Sequence, residues 1–291
     1  MNSVPPWPIV QSMILTVMLP GFAVGAGVLA AVCSVTRSET RRLIGGALAL
    51  AGGLALGNSA RGLLPWWSLE WGWPSLFPAT LLAIGGGVIA ALTTAATGRR
   101  RGGALRVSVL AGCAFWLAPA ESPLGHLGVF ALLFVASMLN WEVFRRSGAQ
   151  SLGRAALLGV VIPWGIAAAT VLIHAHSARF CDLAILQTST LCGIGVIAAM
   201  WRLDSATLFV GSAIFFPALL LGGAVNTFSE VPTASFILVA LAPCALWVLR
   251  LAPMRRWSGR TLATSALVAV LIPCAIAVGL ALRAETLDFG H

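Results

Sequence analysis

Residues able to do chemistry are few in this chain, and most of them lie inside or at the ends of long apolar runs. Gln187, Thr188, Ser189 and Thr190 stand together inside one such run. Four consecutive polar residues go once around a helix, so they cannot all face hydrocarbon without loss. Either they bond to neighbouring helices or they line a polar path through a bundle. With Pro20 and Pro163, which interrupt two other runs, Gln187, Thr188 and Thr190 make up the candidate path. A second set, Glu121, His126, His174, His176 and Asp182, collects at the ends of apolar runs. Imidazole beside carboxylate can relay a proton or hold a transition metal. His174 with Asp182 is the central pair, because only a few residues separate the runs that carry them, and His126 would be a third member. The alternative is a set of interfacial polar groups wetted by headgroups and water. Spacing favours that alternative in part, since His174 and His176 are two apart and share a helix face only if the helix unwinds.

Other chemistries are excluded by what is missing. All 18 basic residues are arginine. Without lysine the chain forms no Schiff base and carries no phosphate-loop lysine. It has no HExxH, no GxSxG and no acidic pair inside an apolar run. Haem held between helices needs histidines deep in facing runs, whereas His126, His174 and His176 fall at run ends and His291 is terminal. No cofactor or metal is therefore assigned. Cys33, Cys113, Cys181, Cys192, Cys244 and Cys274 contain no CxxC pair and read as small buried hydrophobes. The segment Pro65 to Pro74 concentrates four of the 11 tryptophans, which suits an interfacial anchor, or else a lid or docking surface.

The elements that must position these groups follow from composition. Of 291 residues, 59% are hydrophobic and 9% charged, with a mean hydropathy of +0.95, far from the roughly 25% charged content of a soluble domain. Apolar runs near 20 residues match a ~30 Å hydrocarbon core at ~1.5 Å per residue. They predict a polytopic all-α transmembrane bundle of about ten spans, at 9–33, 43–64, 76–97, 104–120, 124–144, 155–176, 180–201, 205–228, 233–252 and 261–282. The fourth run is the shortest, leaving room for a re-entrant element. The first lacks a preceding basic region and reads as an uncleaved span.

Charge orients the spans. If the loops alternate sides, Arg37, Arg41, Arg42, Arg99 to Arg101, Arg106, Arg145, Arg146, Arg154, Arg202, Arg250, Arg255, Arg256 and Arg260 share one side, against Arg61, Arg179 and Arg283 on the other. Positive charge favours the cytoplasmic side, which puts both termini outside, and the bacterial inner membrane is the expected location. Glu142 is expected to pair locally with Arg145 or Arg146. Topology accounts for the net charge of +9, so no nucleic-acid partner is expected.

The whole chain, 1–291, reads as one membrane domain. Its loop near residue 150 separates two sets of five spans, 1–150 and 151–291, and an odd number per half would insert them inverted. Pro20 and Pro163 then fall in the first span of each half, although Pro217, Pro243 and Pro273 interrupt other spans too. GxxxG spacings at Gly21 to Gly25 and Gly53 to Gly57 permit close helix approach. Three functions fit: a permease or secondary transporter for a small solute, a non-catalytic subunit of a membrane complex or homo-oligomer, and an outer-leaflet enzyme. A transporter should converge its buried polar groups on one cavity, whereas a subunit should spread them along helix contacts.

Overall fold

The computed structural model describes residues 11–61, 75–118, 123–149, 154–201, 203, 210–226, 230–250 and 259–288. These form helices and no strand. Helix α1 spans Gln11–Val35; α2 is Glu39–Arg61, α3 Leu76–Thr97, α4 Arg99–Leu117 and α5 Pro123–Ala149. In the second half α6 is Arg154–His174, α7 Ala178–Met200 and α8 Val210–Asn226. Helix α9 is Thr233–Leu241, continued as a 3-10 helix over Ala242–Arg250, and α10 is Gly259–Asp288.

Each apolar run is thus a helix, and where the ends differ the cause is local. Helix α4 begins before its apolar stretch because Arg99 to Arg101 are good helix formers and wind into its first turn. No re-entrant break interrupts it over its described length. Helix α10 outruns its apolar part because no Gly or Pro stops it between Leu280 and Asp288. Among the described residues five helices, α1, α3, α5, α7 and α10, are long and apolar enough to cross a membrane. Helices α6, α8 and α9 carry shorter apolar stretches at Gly159–His174, Ser212–Val225 and Thr233–Leu249.

Neighbouring helices fold back as hairpins. In α3 and α4, joined through Gly98 at φ 92°, Gly86 faces Val109 and the Cys113 thiol points at the Ala79 carbonyl, an antiparallel register. Helices α1 and α2 pair likewise, Gly45 against Val32 and Gly52 against Val24. Helices α6 and α7 turn over at 175–177. There the Ser177 amide reaches back to Leu172 O and the His176 amide to Ile173 O. This Schellman pattern puts His176 in the left-handed region at φ 55°, where glycine is usual.

Helix α7 occupies the centre. Its apolar window is 67% buried, against 22% for α1 and 28% for α10. Both GxxxG spacings point at it: Gly21 and Gly25 of α1 lie against Ser189 and Thr190, and Gly53 and Gly57 of α2 against Thr190 and Leu186. A Cβ at any of these glycines would enter van der Waals space already filled by α7. The spacing therefore serves close helix approach.

The prolines act in different ways. Pro20 has no N–H for the Thr16 carbonyl, and the preceding turn widens to a π-helix over Ile14–Met18, with the Leu19 amide bonding Ile14 O. Pro163, Pro217 and Pro273 sit inside uninterrupted α-helices. Pro243 removes the donor that would meet Val239 O in an α-helix, so the Ala242 amide bonds Val239 O instead and the chain tightens to 3-10 geometry over Ala242–Arg250. Carbonyls at the break also accept from side chains of two other helices. Trp164 Nε1 of α6 donates to Val239 O at 2.6 Å, and Asn140 Nδ2 of α5 donates to Ala240 O at 2.8 Å. Both side chains are fully buried. Trp164 also packs on Phe144 and Phe216, with ring centroids at 5.8 and 4.5 Å, so the break in α9 ties α5, α6 and α8 together.

Candidate functional site

The polar turn of α7 lies where α7 meets four other helices. Thr188 faces Gly165 of α6, Ser189 and Thr190 face α1, and Thr190 also faces α2. Gln187 points the other way, donating from Nε2 to the Ser212 hydroxyl of α8 at 3.3 Å. The hydroxyls bond within their own helix: Thr188 to Ala184 O, Ser189 and Thr190 to Leu186 O, at 2.7 to 2.9 Å. Each donor is thereby satisfied without a partner helix, which leaves the hydroxyl-bearing side chains free to act as compact knobs against glycine. The Gln187 Oε1 atom is buried with no hydrogen-bond partner.

Pro20 and Pro163 lie one and two residues before Gly21 and Gly165, which pack against this turn from α1 and α6. The two prolines are not matched in backbone form, since one follows a π-turn and the other lies in regular helix. Between α1 and α6 runs a cavity of about 690 Å³. Its walls come from α1 (Met13, Met18, Phe22) and α6 (Ile162, Ile166, Ile173), and α7 floors it from Cys181 to Cys192. Thr188 and Ser189 reach its edge with hydroxyls already bonded to their own helix. The chamber is therefore apolar, and wall residues such as Leu19, Ile166 and Ile173 are exposed.

Of the end-of-helix set, the structure describes His126, His174, His176 and Asp182. His174 closes α6, half-buried, and Asp182 lies half-buried in the second turn of α7. His176 is exposed in the intervening turn. His126 packs edge-on against Phe115 of α4 at 4.8 Å. Among the described residues no group of three His, Cys, Asp or Glu side chains could hold a metal. Glu121 and the tryptophan-rich segment Pro65 to Pro74 lie outside the described residues. The cysteines are unpaired thiols, four buried and two half-buried.

Two polar residues serve purposes that sequence spacing does not show. Glu142 pairs with Arg106 of α4, Oε2 to Nη1 at 3.5 Å. The expected partners were Arg145 and Arg146, whose side chains lie outside the described residues. The Arg106 guanidinium also stands over the Trp141 ring at 5.8 Å. Hairpin geometry brings α4 beside α5, so a partner comes from another helix. Asn140, at the end of the fifth run, proves to be a buried strut that supports α9. Its signal was Pro243, a hundred residues away, whose missing N–H calls for an outside donor.

Compared with known families, curated proteins and solved structures, the chain shows no significant match, so its function rests on the geometry of its own residues.

Proposed function

We propose that this chain is a multi-pass membrane-embedded subunit, built from ten crossings with both termini outside, in the cytoplasmic membrane of a bacterium. The observation that carries the subunit reading is where the buried polar groups go. Asn140 supports a broken helix, Thr188, Ser189 and Thr190 pack against glycines, and Gln187 bonds to α8. They are spread over contacts between helices, and the chamber beside them is apolar. A path for a polar solute requires the opposite arrangement. Large apolar side chains remain exposed along α1, α5, α6 and α10, for example Leu19, Leu127, Ile166 and Ile276, which suits contact with lipid or with other spans.

Co-purification from membranes in a mild detergent tests this reading. A stoichiometric membrane partner is the expected result. A lone chain or homodimer that catalyses solute uptake in proteoliposomes would overturn it and establish the permease. The buried, unpartnered Gln187 Oε1 favours that second reading, because an orphan acceptor inside a bundle is a natural contact for a passing cation or proton donor. Orientation rests on the arginine bias. In a cysteine-free background, a cysteine at Arg100 should resist an impermeant thiol reagent added outside intact cells and label after lysis. Labelling before lysis would invert the topology.

A further inference from the structure

We infer that Ala242–Arg250 is a two-state element, a 3-10 helix that converts to α-helix when the Asn140 amide releases the Ala240 carbonyl. Length is the first argument. The segment keeps 3-10 geometry over nine residues, whereas runs beyond about three or four are uncommon because their hydrogen bonds are poorer. Local sequence gives no reason for it. Ala242, Ala245, Leu246, Leu249 and Arg250 all favour α-helix, and no glycine interrupts the segment.

Proline does not account for it either. Pro163, Pro217 and Pro273 lie inside helices of this same chain that keep α winding around them. A proline denies one α bond, here the one to Val239 O, and every donor from Cys244 onward remains. The first of those donors finds its place taken. In an α-helix the Cys244 amide meets Ala240 O, but here Asn140 Nδ2 donates to that oxygen at 2.8 Å, and Asn140 Oδ1 accepts from the Cys244 thiol at 3.4 Å. Asn140, fully buried, therefore holds the segment at both residues of the missing α bond.

A small backbone change separates the two windings, and a large displacement follows from it. They differ by ~10 to 20° in ψ, and Ala242, the first residue of the segment, already has φ −52° and ψ −41°. Over nine residues, at ~2.0 against ~1.5 Å per residue, conversion shortens the segment by ~4.5 Å. It also turns it. Pro243, Leu246 and Leu249 stand three apart and are all buried, while Val248 is 47% exposed, the stripe that a three-residue turn produces. With ~120° per residue becoming ~100°, α winding swings Leu249 ~120° off the line of Pro243. The segment packs against α10 and α5, so conversion slides and rotates it across both, a shift of the size that resets packed-helix contacts. The inference holds for a subunit and for a permease alike.

The test is nitrogen-15 relaxation dispersion on the full-length, deuterated protein in lipid nanodiscs, which reads exchange on the microsecond to millisecond scale. The amides of 244–250 should share one exchange process with a minor state populated at about 1%, and the backbone shifts of that state should be those of α-helix. The amides of 164–170, which follow Pro163 in regular helix, should give flat profiles. Asn140→Leu should raise the minor population about tenfold, the effect of losing one of the stronger interhelical hydrogen bonds in a membrane. The wild-type profiles test the element even if that variant fails to fold. Flat profiles over 244–250 in the wild type, exchange there no greater than at 164–170, or a minor state without helical shifts would overturn the two-state element. An unchanged minor population in Asn140→Leu would overturn the part given to Asn140.

Discussion

Replacing Asn140 with leucine, which has the same heavy-atom branching, tests whether the break in α9 is held by side chains from other helices. In the native protein the Ala240 carbonyl accepts from Asn140 Nδ2 at 2.8 Å, and Asn140 Oδ1 lies 3.4 Å from the Cys244 thiol. The substitution strips a buried carbonyl of its side-chain donor, a loss of about 1 to 3 kcal/mol in water-soluble proteins. Interhelical hydrogen bonds in membranes average ~0.6 kcal/mol and reach ~1.7, because the unfolded chain also finds partners there. A fully buried contact belongs near the upper figure, so Asn140→Leu should cost about 1.5 kcal/mol. The discriminating step is to repeat it in Pro243→Ala. With an N–H restored at 243, the segment can wind as α-helix, and the Cys244 amide can then serve Ala240 O. In that background Asn140→Leu should cost about 0.5 kcal/mol or less, a coupling of about 1 kcal/mol. Equilibrium unfolding in mixed micelles with rising dodecyl sulfate measures all four proteins. Independent sites add within about 0.3 to 0.5 kcal/mol. Additivity within that margin would refute the account, and Asn140 would then be an ordinary packing residue.

Three further outcomes can be checked in the same assay or beside it. Gly53→Val should destabilise by at least about 2 kcal/mol through overpacking against Thr190. Adding Thr190→Ala should recover most of that, while Gly112→Val, into open space, should change stability by less than about 0.5 kcal/mol. His176→Gly should raise stability by up to about 1 kcal/mol, because it relieves a left-handed residue at the end of α6. A loss instead would mean that the imidazole is itself bonded to the fold. Arg106→Gln and Glu142→Gln should each cost about 1 kcal/mol or less and be strongly non-additive, since either change alone removes their part-exposed 3.5 Å contact.

The helices were legible because hydrocarbon length and arginine placement are one-dimensional signals. Both survive in any order of packing, and over the described residues every apolar run from 9–33 to 261–282 became a helix within a few residues of its expected ends, apart from the extensions of α2, α4, α5 and α10 through polar turns. The partners were not legible, because a helix has several faces and the sequence does not say which neighbour each one meets. Glu142 shows this: the two arginines expected as its partners have side chains outside the described residues, while its contact with Arg106 of α4 could not be read from spacing. The GxxxG spacings fared better, since absent side chains mark close approach wherever it occurs, but only the fold reveals that α1 and α2 use them on the same turn of α7.

That turn explains why a polar run in a membrane chain is an ambiguous signal. Thr188, Ser189 and Thr190 look like the lining of a path when only their polarity is counted. Each hydroxyl, though, has a carbonyl of its own helix within reach three or four residues back, and here all three use it. Once bonded, such a residue presents little more than methyl and shielded oxygen to its neighbour, and it packs against glycine as a small apolar knob would. Glutamine has no such escape. Its amide extends beyond its own backbone, so Gln187 must meet another helix or remain unsatisfied, and it does one with each end. Of the four residues in the run, Gln187 is therefore the one whose replacement separates packing from passage. Gln187→Leu should leave stability within about 1 kcal/mol of native, because it removes one long hydrogen bond together with an orphan acceptor. Any transport activity that survives in Gln187→Leu would exclude the α7–α8 contact as the route.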